Sequence, residues 1–539
     1  STPCSFADPF AESLNSVLEH MWPAISAYVT KVLKEEVEPA VQDALPQAFK
    51  GLTFVRCAVG DRPPQFRKVT TSKETQDTAE GPVENLVLRC RVDWKADCDI
   101  AMEWRGVSIG ISCLYVKANL LVELVSIIKR PPMFEGFRMF LLNPPEVDLD
   151  FQGAGHGLLN ISLIKTKILE VIEEQLSSSL VVPNRMGMKL DLDADVFRIT
   201  SPPSEGILKV HVCSAQSLIP MDMNCFGQGT SDPYVQARCG AHVFRSPTKS
   251  RTLSPKFSYE VWFPISSPHQ RVKLTLYDED LMSQDDFLGK LSLPVSVLAT
   301  YGDREVTHKL QDEDGRAGAR GQVTLKSEWR PLELSSDGVE DLQGSGVLFA
   351  GVYHASGVPD HGEGALYYVV MSCSGLLPGA FSGPQETNRL EKSQAPAVAW
   401  EAQSKSAAMK SKLAVLKKYG VSEADMAGVL EVDPARLRQA MMLSSSTKEA
   451  EELASSGPAV RVEWEQGYEF LVEDLRDATV TFGLRCQTKG QSGSSLIGAC
   501  QWSVSQFRRS PHVTVAIPGT AAALHLRIRL LRLGEPATH

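Results

Sequence analysis

Between Leu86 and Trp94 the apolar residues Leu86, Leu88, Cys90, Val92 and Trp94 alternate with Val87, Arg89, Arg91 and Asp93. A period of two predicts a strand with one apolar face. Ile100, Met102 and Trp104 continue the alternation, and Val107–Val116, Leu120–Ile128 and Val147–Phe151 read as further strands. Helical spacing appears at both ends of this block. Leu14, Val17, Leu18, Met21, Ile25, Val29, Val32 and Leu33 recur at three and four residues, with Pro23 predicting a kink or a later start. Leu163 to Leu176 reads as a closing helix. Several strands thus present an apolar face while only two or three helices are available to cover them. Either the sheet closes on its own side chains or it curls around a cavity that something apolar fills.

From Gly206 to Pro331 the pattern changes to short strands at regular spacing: ILKVHVCSA, DPYVQARC, YEVWFPI, RVKLTLYD and GQVTLKSEW. Turn residues separate them, the signature of an antiparallel sandwich. A second strand set begins at Val347–Tyr353, resumes at Val460–Trp464 and ends with LHLRIRLLRL. Between them, residues 374–458 break the β pattern. Met409, Leu413 and Leu416 define a helical stripe, and Ser422 and Asp433 read as N-caps. The fold class is therefore α+β: a curled sheet with helices, then two antiparallel β-sandwiches, the second with a helical insertion. The expected boundaries are 8–186, a linker 187–204, a sandwich 205–334, a linker 335–345 and a second sandwich 346–535 with the insertion at about 374–458.

Composition narrows the classes. A chain of 539 residues allows about three or four domains. A net charge of −10 argues against nucleic acid as a partner, which needs a basic face. The 11 cysteines are scattered without a CxxC pair, which suits free thiols in a reducing compartment. No apolar run reaches the ~18 to 20 residues of a membrane span. The chain begins at Ser1 rather than Met, so any membrane anchor is expected to lie outside it.

The charged chemistry concentrates in two loops of the first sandwich. LYDEDLMSQDDFLGK, residues 276–290, holds Asp278, Glu279, Asp280, Asp285 and Asp286. Its companion LIPMDMNCFGQGTSDPYV, residues 218–235, holds Asp222 and Asp232. Loops at one end of a sandwich converge, so Asp222, Asp232, Asp278, Asp280 and Asp286 are the candidate metal ligands. Hard oxygens at flexible angles suit calcium better than magnesium, and loop three has no His or Cys that would suit zinc. Glu279 and Asp285 read as solvated neighbours. Asp191, Asp193 and Asp195 imitate the start of an EF-hand, but Val196 and Pro202 stand where its glycine and glutamate belong. Residues 106–110, GVSIG, match the G-x-S-x-G nucleophile elbow formally. Ser108 lies within continuous strand alternation, without the helix an elbow requires.

Asp222, SDPYV at 231–235, SPKF at 254–257 and DED…DDFLGK at 278–290 resemble a calcium-binding C2 domain of the synaptotagmin type. MWP at 21–23, EPAV at 38–41, Phe54 with Arg56 and VPNRM at 182–186 resemble the SMP lipid-transfer domain. That order resembles the extended synaptotagmins, the tricalbins and the plant synaptotagmins, well over about 1–335 and loosely over 345–535. The resemblance implies an elongated SMP tube whose apolar groove carries acyl chains of phospholipids or other glycerolipids, often as a homodimer. Leu88, Val92, Trp94, Ile109, Ile111, Val122, Leu124, Leu149 and Phe151 are the groove candidates. Bound calcium would reverse the loop charge and let Met223, Phe226, Leu281 and Met282 meet an anionic membrane, aided by Lys249 and Arg251. The implied place is the cytosolic face of the endoplasmic reticulum at contact sites. In the second sandwich Ala365-Leu366-Tyr367 replaces Asp-Pro-Tyr, and residues 485–498 hold no carboxylate, so no calcium site is expected there. The expected activity is calcium-responsive lipid transfer and tethering rather than catalysis. The alternatives are a tether without transfer and a C2-containing lipid hydrolase.

Overall fold

The computed structural model describes residues 8–45, 51–78, 81–152, 161–223, 229–280, 285–334, 343–380, 384–391, 459–489, 493–504 and 512–536. The helical pattern at the start becomes α1 (Pro9–Val32), a π-helical turn (Leu33–Val37) and α2 (Glu38–Ala44). Asp8 caps α1 by accepting from the Phe10 amide, and Pro9 takes the first helical position, where no amide donor is needed. The helix runs through Pro23 instead of starting there.

The first sheet comprises β1 (Thr53–Ala58), β2 (Gln65–Thr78), β3 (Gly81–Ala96), β4 (Asp99–Trp104), β5 (Val107–Ile127), β6 (Phe134–Leu141), β7 (Glu146–Gln152) and β8 (Met186–Lys189). It is antiparallel in the order β1-β4-β5-β3-β2, with β6 and β7 also on β5 and β8 on β6. β5 spans 21 residues where the sequence pattern suggested two strands. Lys117 and Asn119, which look like a turn, are exposed on the outer face while Ala118 faces in, so the alternation runs through this point unbroken.

Two helical covers close parts of the inner face. α1 is laced to β2 at the bulge between Phe66 and Lys68: Asn15 donates to the Phe66 carbonyl (3.1 Å) and accepts from its amide (2.8 Å). Asp8 also accepts from the Val69 amide, and this bond leads the interactions that hold its carboxyl below the usual range. Ala11 then packs with Val69 and Cys90. At the other end α3 (Ile161–Leu180), together with α2, seals Ile100, Met102, Ile109, Ile111 and Leu149 beneath Val41, Ile164, Ile168 and Val171.

On the outer face Glu123 and Arg138, opposed on β5 and β6, form an ion pair at 2.6 Å, with side chains 11% and 5% exposed. The segment 187–204, expected as a linker, contains the end of β8 and a helical turn α4 (Val196–Thr200). Phe197 and Ile199 are buried, and Arg138 donates to the Arg198 carbonyl at 3.1 Å, which fixes α4 on this face.

The first sandwich contains β9 (Gly206–Gln216), β10 (Asp222–Met223), β11 (Gly229–Thr230), β12 (Pro233–Cys239), β13 (His242–Arg245), β14 (Lys256–Ile265), β15 (Arg271–Asp278), β16 (Asp286–Pro294), the turn α5 (Val295–Leu298), β17 (Val306–Gln311) and β18 (Ala317–Leu334). β13-β12-β15-β16 and β14-β9-β18-β17 face each other across a core that includes Val210, Val235, Phe263, Leu276, Leu288 and Leu325.

Among the described residues, 343–377, 384–391, 459–489, 493–504 and 512–531 form a separate unit. It contains β19 (Gly346–Pro359), β20 (Ala365–Cys373), β21 (Gln385–Glu386), β22 (Ala459–Val472), β23 (Thr479–Thr488), β24 (Ser494–Ser503), β25 (His512–Ala516) and β26 (Ala523–Leu533). β21 pairs on β20, so the expected insertion at 374–458 begins with sheet residues. The helices expected in that insertion fall outside the described residues. Tyr367, Phe482 and Trp502, each no more than 1% exposed, centre the core. Among the described residues the cysteines are free thiols, and no helix is long and apolar enough to cross a membrane.

Candidate functional site

The inner face of the first sheet is apolar beyond what its helices cover. β3 and β5 pair Leu88 with Val122 and Leu86 with Leu124, and β6 sets Met139 beside Val122 and Phe137 beside Leu124. β8 continues the row, with Met188 opposite Phe137 and Met186 opposite Met139. Leu86, Leu88, Val122, Leu124, Phe137 and Met139 are only half-buried, and Met186 and Met188 are each 53% exposed. A row of apolar side chains across four strands left this open is unusual for a finished core.

The nine expected groove residues divide. A bulge between Ile111 and Cys113 switches the side-chain parity of β5, so Ile109 and Ile111 share the inner face with Leu114 and Val116. They and Leu149 are no more than 2% exposed inside the cluster sealed by α2 and α3. This corrects the expectation that these three are open to a ligand. Phe151 and Trp94 are half-buried against the same cluster. The Trp94 indole donates to the Arg62 carbonyl at 2.8 Å and meets Trp22 edge-on. Val92 and Leu88 border the α1 cluster, while Val122 and Leu124 lie on the open stretch. Phe137, Met139, Met186 and Met188 were missed. The Met-Gly-Met alternation at 186–188 was the available signal, hidden because that segment read as a linker.

At one end of the sandwich, strand register aligns the acidic residues. Pro233 pairs with Asp278 and Asp278 with Asp286, so Asp232, Asp278 and Asp286 sit at the same end of three neighbouring strands. Asp278 is fully buried and accepts from the Asp232 amide. Asp232 accepts in turn from the Arg251 amide at 2.6 Å, and Lys249 donates its amide to the Pro233 carbonyl. Both basic residues expected at the membrane thus have their backbones held against the acidic end. Asp222 pairs through its backbone with Thr230. Phe226, Leu281 and Met282 lie outside the described residues, as do the side chains of Asp222 and Met223. No group of three or more His, Cys, Asp or Glu is already closed as a metal cage among the described residues. The donor set nonetheless fits a hard cation: carboxylates brought together by register, one of them wholly removed from water, where negative charge needs compensation.

Glu279 and Asp285 are not merely solvated. Glu279 pairs with Arg245, whose guanidinium lies over the Tyr234 ring. The Tyr234 hydroxyl donates to Asp285 at 2.7 Å, and Asp285 accepts from the Asp280 amide at 3.1 Å. Burial, then the Asp285 carboxylate, push the Tyr234 phenol well above its ordinary value, so it stays a donor. Ser231, fully buried, donates to the Ile219 carbonyl and accepts from the Met221 amide, both at 3.1 Å, and thereby ties loop one to the start of β12. The serine and tyrosine of SDPYV are therefore positioning residues. Tyr234→Phe is expected to speed hydrogen exchange at the Asp280 amide about tenfold, since a bond to a carboxylate contributes about 1.5 to 3 kcal/mol. An unchanged rate would show that Asp285 holds the loop without the phenol.

Ser108 belongs to the β4–β5 hairpin, where it pairs with Glu103. The formal elbow motif has no strand-turn-helix around it. In the second unit, Tyr367 occupies the start of β20 and donates to the Pro359 carbonyl, a structural role.

Family models match a synaptotagmin-like mitochondrial-lipid-binding domain, SMP, over residues 8–191 and a C2 domain over 206–310. Extended synaptotagmin-3 of Xenopus tropicalis is 28% identical over 355 residues, 65% of this chain and 38% of the relative. Extended synaptotagmin-2 of Homo sapiens is 28% identical over 342 residues, 62% of this chain and 35% of the relative. The chain thus spans roughly a third of these relatives' length. A solved structure of extended synaptotagmin 2, comprising its SMP domain and two C2 domains, superposes with a TM-score of 0.54 at 18% identity, covering 97% of this chain and 99% of that one. Fold and comparisons together define an SMP–C2 protein, a curled lipid-binding sheet followed by C2 sandwiches. In carrying these domains in this order the chain is similar to the extended synaptotagmins.

Proposed function

We propose that this protein carries glycerolipid between two apposed membranes and tethers them, with calcium at the first C2 domain controlling the docking. The observation that carries the reading is the open apolar row Leu86, Leu88, Val122, Leu124, Phe137, Met139, Met186 and Met188. Leaving it in water is costly at ~25 cal/mol per Å² of apolar surface, and acyl chains would remove that cost. The proposed groove is restricted to this row with Val92 at its margin, Trp94 and Phe151 marking the sealed end.

Asp222, Asp232, Asp278, Asp280 and Asp286 would hold calcium. When bound, calcium supplies positive charge and open coordination positions for lipid phosphate. The chain's own part is to gather the carboxylates by register, hold loop one through Ser231 and loop three through Asp285, and keep Lys249 and Arg251 beside them. Met223, Phe226, Leu281 and Met282 are the proposed apolar tips. Phe10, Val17, Met21 and Tyr28 form an exposed stripe on α1, between 46% and 67% exposed, which supports a homodimer through this domain. The proposed place is the cytosolic face of the endoplasmic reticulum, with an anchor outside this chain.

Lipid extraction and mass spectrometry of the purified protein, followed by fluorescent-lipid transfer between liposome populations, test the reading. Val122→Arg is expected to lower bound lipid and transfer at least tenfold, since a buried unpaired charge costs several kcal/mol. Transfer equal to the parent's would remove Val122 from the lipid path, and a parent with neither co-purified glycerolipid nor transfer would leave a calcium-dependent tether without cargo. Hydrolysed lipid, abolished by Ser108→Ala, would instead identify a hydrolase.

A further inference from the structure

The first C2 domain meets the SMP domain through the ends of β12 and β15 that lie opposite the aspartates. The Ala241 amide donates to the Val182 carbonyl at 2.9 Å, and the Arg271 amide donates to Asn143 Oδ1 at 2.8 Å. Gly240 adopts φ +58°, and a Cβ there would fall 2.4 Å from the Val182 oxygen, so this approach requires glycine. On the sheet beside this contact, Arg238 and Lys273 are directly opposed, and Lys290 follows on the next strand opposite Thr275. Like charges directly opposed destabilise a sheet unless something compensates them. Compensation comes from α3: Glu173 pairs with Arg238, and Glu170 adds to burial in raising the pKa of the Tyr277 phenol on the same strand as Lys273.

We propose that the first C2 domain is seated on the SMP domain as a fixed strut, with Arg238 on its sheet face held by Glu173 of α3, so that the aspartate-bearing end is the one offered to a membrane. The seven residues of β12 place that end about 20 Å from the seat. Arg238 is then withheld from anionic lipid while the seat is made, whereas Lys273 is exposed and the Lys290 ammonium donates to the Glu313 carbonyl at 2.7 Å. Without that pair Arg238 would add to the attraction of an anionic surface with no calcium present.

Hydrogen exchange and vesicle binding of the full chain test the seat, independently of cargo and of calcium. Gly240→Ala is expected to speed exchange at the remote Arg271 amide at least tenfold. Gly302→Ala, which has the same φ of +58° but nothing within 4 Å of its Cβ, should leave that amide unchanged. Glu173→Arg should raise calcium-free binding to phosphatidylserine–phosphatidylcholine vesicles about thirtyfold, as Arg238 is released and a second cation is added at ~1 kcal/mol each. Adding Arg238→Glu to that variant should restore the parent's binding. Retained protection of Arg271 in both Gly240→Ala and Glu173→Arg would overturn the seat. Lost protection without a gain in calcium-free binding would overturn the withholding of Arg238. Failure of the calcium switch would leave these results untouched.

Discussion

Replacing Asp278 and Asp280 together by asparagine is expected to weaken calcium-dependent binding to anionic vesicles by more than about a hundredfold. A removed charge-assisted contact in a buried site costs about 1.5 to 3 kcal/mol, and two such losses exceed a factor of about a hundred. Asp278 carries the larger share because it is fully buried and pairs in register with both β12 and β16. Asparagine keeps the carbonyl that accepts from the Asp232 amide, so the loop framework should survive while the charge is lost. Calorimetric titration with calcium alone separates lost cation binding from lost lipid contact. Undiminished calcium-dependent binding and transfer in the double variant would sink the proposed switch.

Arg138→Met is expected to destabilise the SMP domain by about 3 to 5 kcal/mol, because it strands the Glu123 carboxylate between β5 and α4. The guanidinium donates to Glu123 at 2.6 Å and to the Arg198 carbonyl at 3.1 Å, so its loss also loosens α4. The double change Glu123→Leu with Arg138→Met should recover most of the loss, since an apolar pair of similar volume removes both desolvation costs. Urea unfolding followed by hydrogen exchange at the β5 and β6 amides measures both. A single variant as stable as its parent would mean that water reaches Glu123 without Arg138.

Much of the acidic site was legible. Asp222 and Asp232 flank one loop, Asp278, Asp280 and Asp286 define another, and strand register was enough to bring the second set to Asp232. The sequence could not show that Tyr234 reaches Asp285 across strands, because that contact depends on where loop three folds back. The groove was legible as an imbalance between apolar strand faces and available helices. Which residues stay open was not. The bulge after Ile111 changes parity inside one strand, and a helix more than forty residues later in the chain decides that Ile109 and Ile111 are sealed.

By itself the sequence determined the class of each domain, because period-two alternation, turn spacing and the DED…DDFLGK run are local properties of the chain. It also determined which strands have an apolar face and which loops gather carboxylates. Only the tertiary structure decided how far α1, α2 and α3 reach over the SMP sheet, and that Met186 and Met188 extend its open row. It also decided that Glu173 of α3 meets Arg238. Burial and charge compensation are set by neighbours distant along the chain, and a local pattern carries no record of them.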